Sequence, residues 1–129
     1  MYAYTNEIIR SAMFTWSMDD AAAFYAEHKG KFYYDRLLIG ITSVPTLGLA
    51  LAGPNAIREW RELIGPTKAY RGAWEAPDTL RAQYGLGDSR NGFHGSDSEA
   101  SALSELSIVF PEWNAAQWLE NARQIHKDL

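Results

Sequence analysis

The chain has 129 residues, no cysteine and a formal net charge of −4. This length predicts one domain with a core of its own, and the lack of cysteine excludes a disulfide scaffold and a thiolate metal site. No run of about 18 apolar residues predicts a transmembrane helix, so no membrane partner is expected. The acidic balance argues against a dedicated nucleic-acid site.

The first half of the chain alternates between predicted strands and helices. Residues 8–16 are rich in β-branched and aromatic side chains and predict a strand. Ser17 is a candidate N-cap for a helix that runs to about His28. A second short helix is predicted over residues 32–41, and the apolar run 46–52 predicts a buried strand.

The second half is predicted to be mainly helical. Pro54 suits the first turn of a helix that ends at Gly65, a long loop follows over residues 67–77, and residues 77–84 form one or two helical turns. A further helix spans residues 98–110, and Asn114 caps the last helix. The inward face of that last helix is expected to carry Trp118, Ala122, Ile125 and Leu129. Interleaved strands and helices indicate one domain of the α+β or α/β class.

The richest chemistry lies in a polar, glycine-rich stretch before residue 98. Gly92 and Gly95 flank His94, so backbone can approach a ligand closely there. Residues 96–98 lie at a helix start, where free N–H groups favour anions. Donors suited to phosphate oxygens are supplied by Arg61, Thr67, Arg81 and Arg90. A neutral imidazole beside such donors suggests nucleophilic attack on phosphorus, with a phosphohistidine intermediate.

Simpler interpretations stay open at this point. A lone histidine in a glycine–serine turn is more often a solvated or capping residue, and Ser-Asp-Ser before a helix is most often a cap. A Ser–His–Asp hydrolase is disfavoured, because His94, Ser96 and Asp97 are crowded within four positions. A zinc site is weakly supported, since His28, His94 and His126 show no ligand spacing.

The segment HGSDS at residues 94–98 closely resembles the active-site signature of the nucleoside diphosphate kinases. Three further segments resemble the same family in the same order: FYAEHKGKFYYDRLL at 24–38, AIREWRELIGPT at 56–67 and APDTLRAQYGL at 76–86. The resemblance covers about residues 8–113. The length of the segment between Thr67 and Arg81, together with the sequences GPT and AYR, resembles the divergent group of the family, the nucleoside diphosphate kinase 6 type.

The resemblance implies a catalytic role for four residues. His94 would take the γ-phosphate from a nucleoside triphosphate such as ATP and pass it to a nucleoside diphosphate, which supports CTP, GTP and UTP synthesis. Glu105 would hydrogen-bond and orient that imidazole. Ser96 matches the serine beside the histidine, and Tyr25 matches the tyrosine near the transferred phosphate.

The resemblance also implies how the nucleotide is bound. Tyr33 matches the aromatic residue that stacks on the base, a position normally occupied by Phe. The remaining contacts would come from Arg61, Thr67 and Arg81 to the phosphates and from Asn91 to the sugar. Mg²⁺ would be the cofactor, bridging the phosphates with few or no protein ligands.

The implied fold is α+β and ferredoxin-like, an antiparallel sheet covered by helices, as a single domain over residues 1–129 with a C-terminal helix at 114–129. Family members begin with an interior strand that ends in Lys-Pro-Asp, followed by a helix. Only MYAYTNE precedes Ile8 here, so we expect an N-terminally truncated domain that lacks this strand and helix. Unpaired interior backbone groups would cost stability, so a homo-oligomer or a completing partner chain is expected.

The missing lysine motivates an alternative function. That lysine contacts the transferred phosphate, and its loss would lower the rate by about 10²-fold or more, by analogy with lost oxyanion donors. The alternative to an active kinase is therefore a catalytically impaired module that binds nucleotides or a partner. Residues 1–15 contain no recognisable targeting signal, which leaves both a cytoplasmic and a mitochondrial location open.

Overall fold

A computed structural model gives the fold, and it describes residues 6–66, 78–84 and 92–127. In chain order the elements are β1 (Glu7–Phe14), α1 (Met18–Phe24), a 3₁₀ turn (Ala26–His28), α2 (Tyr34–Thr42), β2 (Thr46–Ala52), α3 (Ala56–Ile64), α4 (Leu80–Tyr84), α5 (Glu99–Val109) and α6 (Ala115–Lys127). The mixture of an antiparallel sheet and helices confirms the predicted α+β class. In the described ranges, no helix combines the length and the apolar character that crossing a bilayer requires.

The two described strands pair in antiparallel fashion, although two helices separate them in sequence. The register runs from Phe14 opposite Thr46 to Glu7 opposite Ala52. One face of this pair is interior, because Ala50 is only 2% exposed. At Gly48 the sheet and α5 approach closely: a Cβ there would lie 2.7 Å from Val109 Cγ1. The glycine therefore lets α5 pack directly against β2.

The core is an aromatic cluster between the end of β1 and helices α1 and α2. Trp16 and Leu38 are buried there, and Tyr25 belongs to the same cluster. Edge-to-face contacts at 4.9 Å join Trp16 to Phe14 on one side and to Phe24 on the other. Such ring pairs contribute about 0.5–1.5 kcal/mol beyond simple burial. This cluster fixes the position of α1, whose C-terminal end faces the candidate site.

The first helix is shorter than the sequence predicts. Ser17 is the N-cap, as predicted, and its hydroxyl accepts a hydrogen bond from the Asp20 N–H at 3.1 Å. However, α1 ends at Phe24, Tyr25 leaves the helical region at φ −101° and ψ 24°, and a 3₁₀ turn follows to His28. Side chains three residues apart eclipse in this tighter turn. The change therefore brings the rings of Tyr25 and His28 to the same side.

The second half follows the predicted order with local corrections. Gly65 ends α3 at φ +83°, which favours glycine, and Asn114 caps α6 by accepting from the Gln117 N–H at 3.0 Å. On α6 the predicted inward stripe is wrong at Ile125, which is 63% exposed. The predicted loop at 67–77 and Leu129 lie outside the described residues.

Candidate active site

The candidate site centres on residues 92–98, which we call the histidine loop. Helix α3 holds this loop through two side chains that donate to its backbone carbonyls. Trp60 Nε1 donates to His94 O at 2.9 Å, and Arg61 Nη1 donates to Gly95 O at 2.8 Å. Because both acceptors are main-chain carbonyls, the two bonds fix the backbone of the loop independently of its side chains.

Gly95 allows the histidine loop to lie against α3. A Cβ at this position would sit 2.7 Å from Cδ1 of the Trp60 indole and 3.3 Å from Ile64 Cδ1. The indole is a rigid plane and Ile64 is fully buried, so neither neighbour can move aside at low cost. The glycine is therefore required here by close approach.

Arg81 on α4 holds the loop from the other side. Its Nη2 donates to Phe93 O at 3.0 Å and its Nη1 donates to Gly65 O at 2.7 Å. The residue is only 8% exposed, and its Nε has no hydrogen-bond partner among the described residues. Burial first, and then the charge of Arg61, lowers the pKa of Arg81 from its ordinary value. That Nε is itself buried, and the described hydrogen bonds of Arg81 are the two that hold the backbone.

The His94 imidazole is accessible and oriented. Its Nε2 hydrogen-bonds Oε1 of Glu105 on α5, and the two side chains are 44% and 16% exposed. Its Nδ1 has no hydrogen-bond partner among the described residues. A carboxylate that accepts the Nε2 proton leaves the lone pair of the ring on Nδ1. The ring of Phe24 supports the imidazole edge-to-face at 4.9 Å.

Tyr25 lies behind the imidazole as a buried neutral phenol. The residue is 8% exposed, and its ring centroid is 6.2 Å from that of His94. Burial, with a further contribution from the negative charge of Glu105, raises the pKa of Tyr25 to about 12, although Arg81 acts in the opposite direction. The hydroxyl therefore keeps its proton across the neutral range and can donate a hydrogen bond.

The Ser-Asp-Ser start of α5 is a helix cap in this structure. The Ser98 hydroxyl accepts from the Ser101 N–H, and the Ser101 hydroxyl accepts from the N–H groups of Ser98 and Asp97. The hydrogen bond from Ser101 to the Asp97 carboxylate is the main cause that lowers the pKa of Asp97. Several of the N–H groups that were expected to attract an anion are thus occupied. The simpler interpretation, in which Ser-Asp-Ser is a helix cap, is therefore confirmed.

The predicted base-stacking residue, Tyr33, lies at the N-terminus of α2. Its hydroxyl is 2.5 Å from Nδ1 of His28, and the two rings are 5.5 Å apart. The His28 ring is in turn 5.9 Å from that of Tyr25. A continuous row of rings therefore connects the predicted base side of the site with the imidazole of His94.

The structure brings together most of the residues that the sequence assigns to the site. His94, Glu105 and Tyr25 are in contact or adjacent, and Arg61 and Arg81 hold the same loop. Ser96 lies two positions after His94 in the chain, and the described residues show no hydrogen bond between the two side chains. Thr67 and Asn91 lie outside the described residues. Within the described ranges, no group of three or more His, Asp or Glu side chains could hold a metal ion.

Two residues in the site escaped the sequence analysis. The sequence analysis does not include Trp60 in the site, yet its indole N–H donates to the His94 carbonyl. The sequence offered one indication, because the N–H of a buried indole usually has a hydrogen-bond partner. His28 was considered as the approximate end of the first helix and as a weakly supported metal ligand, and nothing in the sequence indicated its pair with Tyr33.

Comparisons with known proteins match this chain to one family. The family model described as nucleoside diphosphate kinase matches residues 3–115. Nucleoside diphosphate kinase 6 of Danio rerio is 46% identical over 112 residues, which cover 87% of this chain and 64% of the relative. The Homo sapiens protein of the same name is 42% identical over 113 residues, covering 88% of this chain and 61% of the relative.

Solved structures of two nucleoside diphosphate kinases share the fold. The Aquifex aeolicus enzyme superposes with a TM-score of 0.78 at 33% identity, over 81% of this chain and 74% of the other. The Halobacterium salinarum enzyme, solved in complex with CDP, superposes with a TM-score of 0.75 at 30% identity, over 88% of this chain and 78% of the other. The chain spans only 60% to 64% of the length of the fish, mouse and human relatives.

Proposed function

The chain belongs to the nucleoside diphosphate kinase family and has its α+β, ferredoxin-like fold, and from this premise we propose that it transfers the γ-phosphate of a nucleoside triphosphate to a nucleoside diphosphate. The proposed intermediate is a phosphohistidine on Nδ1 of His94. The observation that carries the proposal is the imidazole itself, which is accessible, bonded through Nε2 to Glu105 and free at Nδ1 among the described residues.

The reaction would proceed in two half-reactions. In the first, the Nδ1 lone pair of His94 attacks the γ-phosphorus, and the bond to the oxygen between the β- and γ-phosphorus atoms breaks. The nucleoside diphosphate leaves with the electrons of that bond. In the second, a terminal β-phosphate oxygen of another diphosphate attacks the phosphorus, and the P–N bond returns its electrons to Nδ1.

Glu105 would act through the opposite nitrogen of the ring. As the N–P bond forms, positive charge develops on the imidazole, and a carboxylate at Nε2 stabilises that charge. The same bond fixes the tautomer, so that the lone pair stays on Nδ1 throughout. Glu105 is 16% exposed, which strengthens its electrostatic effect relative to an exposed carboxylate.

The phosphates would be held by donors already in place around the histidine loop. The positive charge of Arg61 is close enough to lower the pKa of Arg81, so an anionic phosphate beside the two residues would relieve the repulsion between their guanidinium groups. Tyr25 would donate from a hydroxyl that stays protonated. Thr67 and Asn91 are proposed contacts to phosphate and sugar, and Ser96 is a proposed neighbour of the phosphohistidine.

Mg²⁺ is proposed to arrive with the nucleoside triphosphate as part of the substrate. The donors that this site offers are arginine N–H and tyrosine O–H groups, which bind phosphate oxygens and not a cation. The ion would therefore be held by the phosphates and by water, as is usual for Mg²⁺ in nucleotide sites. Its charge would add to that of Arg61 and Arg81 at the bridging oxygen.

Labelling with γ-³²P-ATP and Mg²⁺ tests the proposal. We expect an acid-labile, alkali-stable phosphoprotein that loses its label when a nucleoside diphosphate is added, and no label in His94→Ala. The matched control is His126→Ala, which removes an exposed histidine of α6 and should label like the wild type. Equal labelling of His94→Ala would overturn the proposal. Nucleotide binding without labelling would favour the impaired binding module instead.

A further inference from the structure

We infer that His28 is a positioning residue for the base, because it fixes the ring of Tyr33 through the tyrosine hydroxyl. This inference rests on the proposed function and adds a residue to it. The His28 Nδ1 and the Tyr33 hydroxyl oxygen lie 2.5 Å apart, and both residues are half-buried. His28 itself does not contact the nucleotide in this account. It acts only through the ring that the nucleotide base would stack on.

The local backbone explains why the two side chains meet. The 3₁₀ turn that ends at His28 places its ring on the same side as that of Tyr25. Gly30 then reverses the chain at φ +90° with open space around it, and Tyr33 precedes the first turn of α2. The pair therefore closes the turn between residues 28 and 33, in addition to the backbone bonds from the Lys31 N–H to His28 O and from the Tyr34 N–H to Lys31 O.

The hydroxyl is what makes this arrangement specific to a tyrosine. A phenylalanine at position 33 would offer the same stacking face but no group for His28 to bind. Without the bond, the ring can rotate about its side-chain torsions, and stacking must then restrict that rotation when a base binds. With the bond, the ring is fixed before the nucleotide arrives.

His28 also contacts Tyr25, which lies on the phosphate side of the site. Its ring packs 5.9 Å from that of Tyr25, which in turn lies 6.2 Å from that of His94. Loss of the His28 side chain could therefore affect the phosphate side by loosening Tyr25. A test of the inference must separate affinity for the base from affinity for the phosphates.

A double-mutant cycle over His28 and Tyr33 provides that separation. The variants are His28→Ala, Tyr33→Phe and the double variant, with dissociation constants measured by calorimetry for GDP, CDP and tripolyphosphate, which has no base. Each single variant should weaken GDP binding by about threefold to tenfold, the range expected for one lost hydrogen bond. The double variant should be no weaker than either single one, because both remove the same bond.

The remaining readouts exclude a merely structural role. Tripolyphosphate affinity should stay within about twofold of the wild type, since the base side alone is affected. In turnover, KM for the diphosphate should rise while kcat is unchanged. His28→Gln, whose amide can bond the hydroxyl, should restore GDP affinity.

Three results would overturn the inference: multiplicative losses in the double variant, an equal loss of tripolyphosphate affinity, or no rescue by glutamine. If these occur while the wild type still labels at His94, the inference fails alone. If the wild type binds no nucleotide at all, the proposed function fails and the inference fails with it.

Discussion

The two sides of the site are built differently. On the phosphate side, three side chains donate to main-chain carbonyls of the histidine loop: Trp60, Arg61 and Arg81. On the base side, the ring of Tyr33 is held by one side-chain bond, to His28. The first arrangement fixes a backbone and the second fixes only a rotamer. The comparison indicates that several bonds fix the phosphate side, whereas the position of the base-side ring depends on a single bond.

The largest effect on rate and stability is expected when a methyl group is added on the phosphate side of the site. Gly95→Ala forces a Cβ to within 2.7 Å of the Trp60 indole, so the histidine loop must move away from α3. A shift of about 1 Å at a reacting group can cost about 10²-fold in rate, and overpacking costs about 1–3 kcal/mol of stability. Steady-state phosphoryl transfer and denaturant unfolding measure the two effects.

The matched control is Gly40→Ala in α2, where the added Cβ meets nothing within 4 Å. That variant should retain full activity and gain up to about 1 kcal/mol from helix propensity. If Gly95→Ala behaves like Gly40→Ala, the histidine loop is not fixed against α3.

The next effect is expected at Arg81. Arg81→Lys keeps the charge but cannot bond Gly65 O and Phe93 O together, because an ammonium lacks the planar fork. An orphaned carbonyl costs about 1–3 kcal/mol, and we expect a rate loss of at least about tenfold from the loosened loop. Arg58→Lys is the control, since Arg58 is exposed and its ion pair with Glu62, at 4.0 Å, is a surface contact. Equal behaviour of the two variants would contradict a structural role for Arg81.

High pH should reveal the buried phenol. Because the pKa of Tyr25 is raised to about 12 in the folded chain, the unfolded chain loses that proton first, from about pH 10 upward. The stability that comes from keeping the phenol neutral is therefore complete below pH 10 and is lost as the pH rises towards 12. The loss relative to Tyr25→Phe should reach about 2–3 kcal/mol.

Denaturant unfolding between pH 9 and pH 12 measures this loss, and Tyr84→Phe is the control because Tyr84 is 65% exposed. A constant difference between the wild type and Tyr25→Phe across this range would show that the phenol is not buried in solution.

The smallest effect is expected at Trp60. Trp60→Phe keeps a ring against Gly95 but removes the N–H that bonds His94 O. Since Arg61 and Arg81 still hold the loop, kcat should fall by about threefold to tenfold with KM unchanged, as for one lost hydrogen bond. Trp118→Phe on α6 should leave kcat unchanged. A rise in KM with kcat unchanged would contradict this role of Trp60.

The sequence predicted the regular elements well because their signals are local. The bounds of β2 agree with the predicted run 46–52, and the caps at Ser17 and Asn114 lie where short polar side chains precede apolar periods. The break at Tyr25 was missed, because it serves a tertiary contact with His94 and has no local marker.

The site could be predicted only in part, and for the same reason. The pairing of His94 with Glu105 follows from the family resemblance, and the structure places the two side chains in contact. The bonds from Trp60 and Arg61 to the histidine loop join residues 34 positions apart. No periodicity or spacing in a single sequence reports a contact at that separation.

The central claim is that Glu105 occupies Nε2 of His94 and leaves Nδ1 to attack phosphorus. The most direct measurement is heteronuclear NMR of the ¹⁵N-histidine-labelled chain after phosphorylation by ATP and Mg²⁺, where ³¹P–¹⁵N coupling identifies the phosphorylated nitrogen. The account predicts coupling to Nδ1 of His94. Phosphate on Nε2 of that ring, or on any other residue, would contradict it.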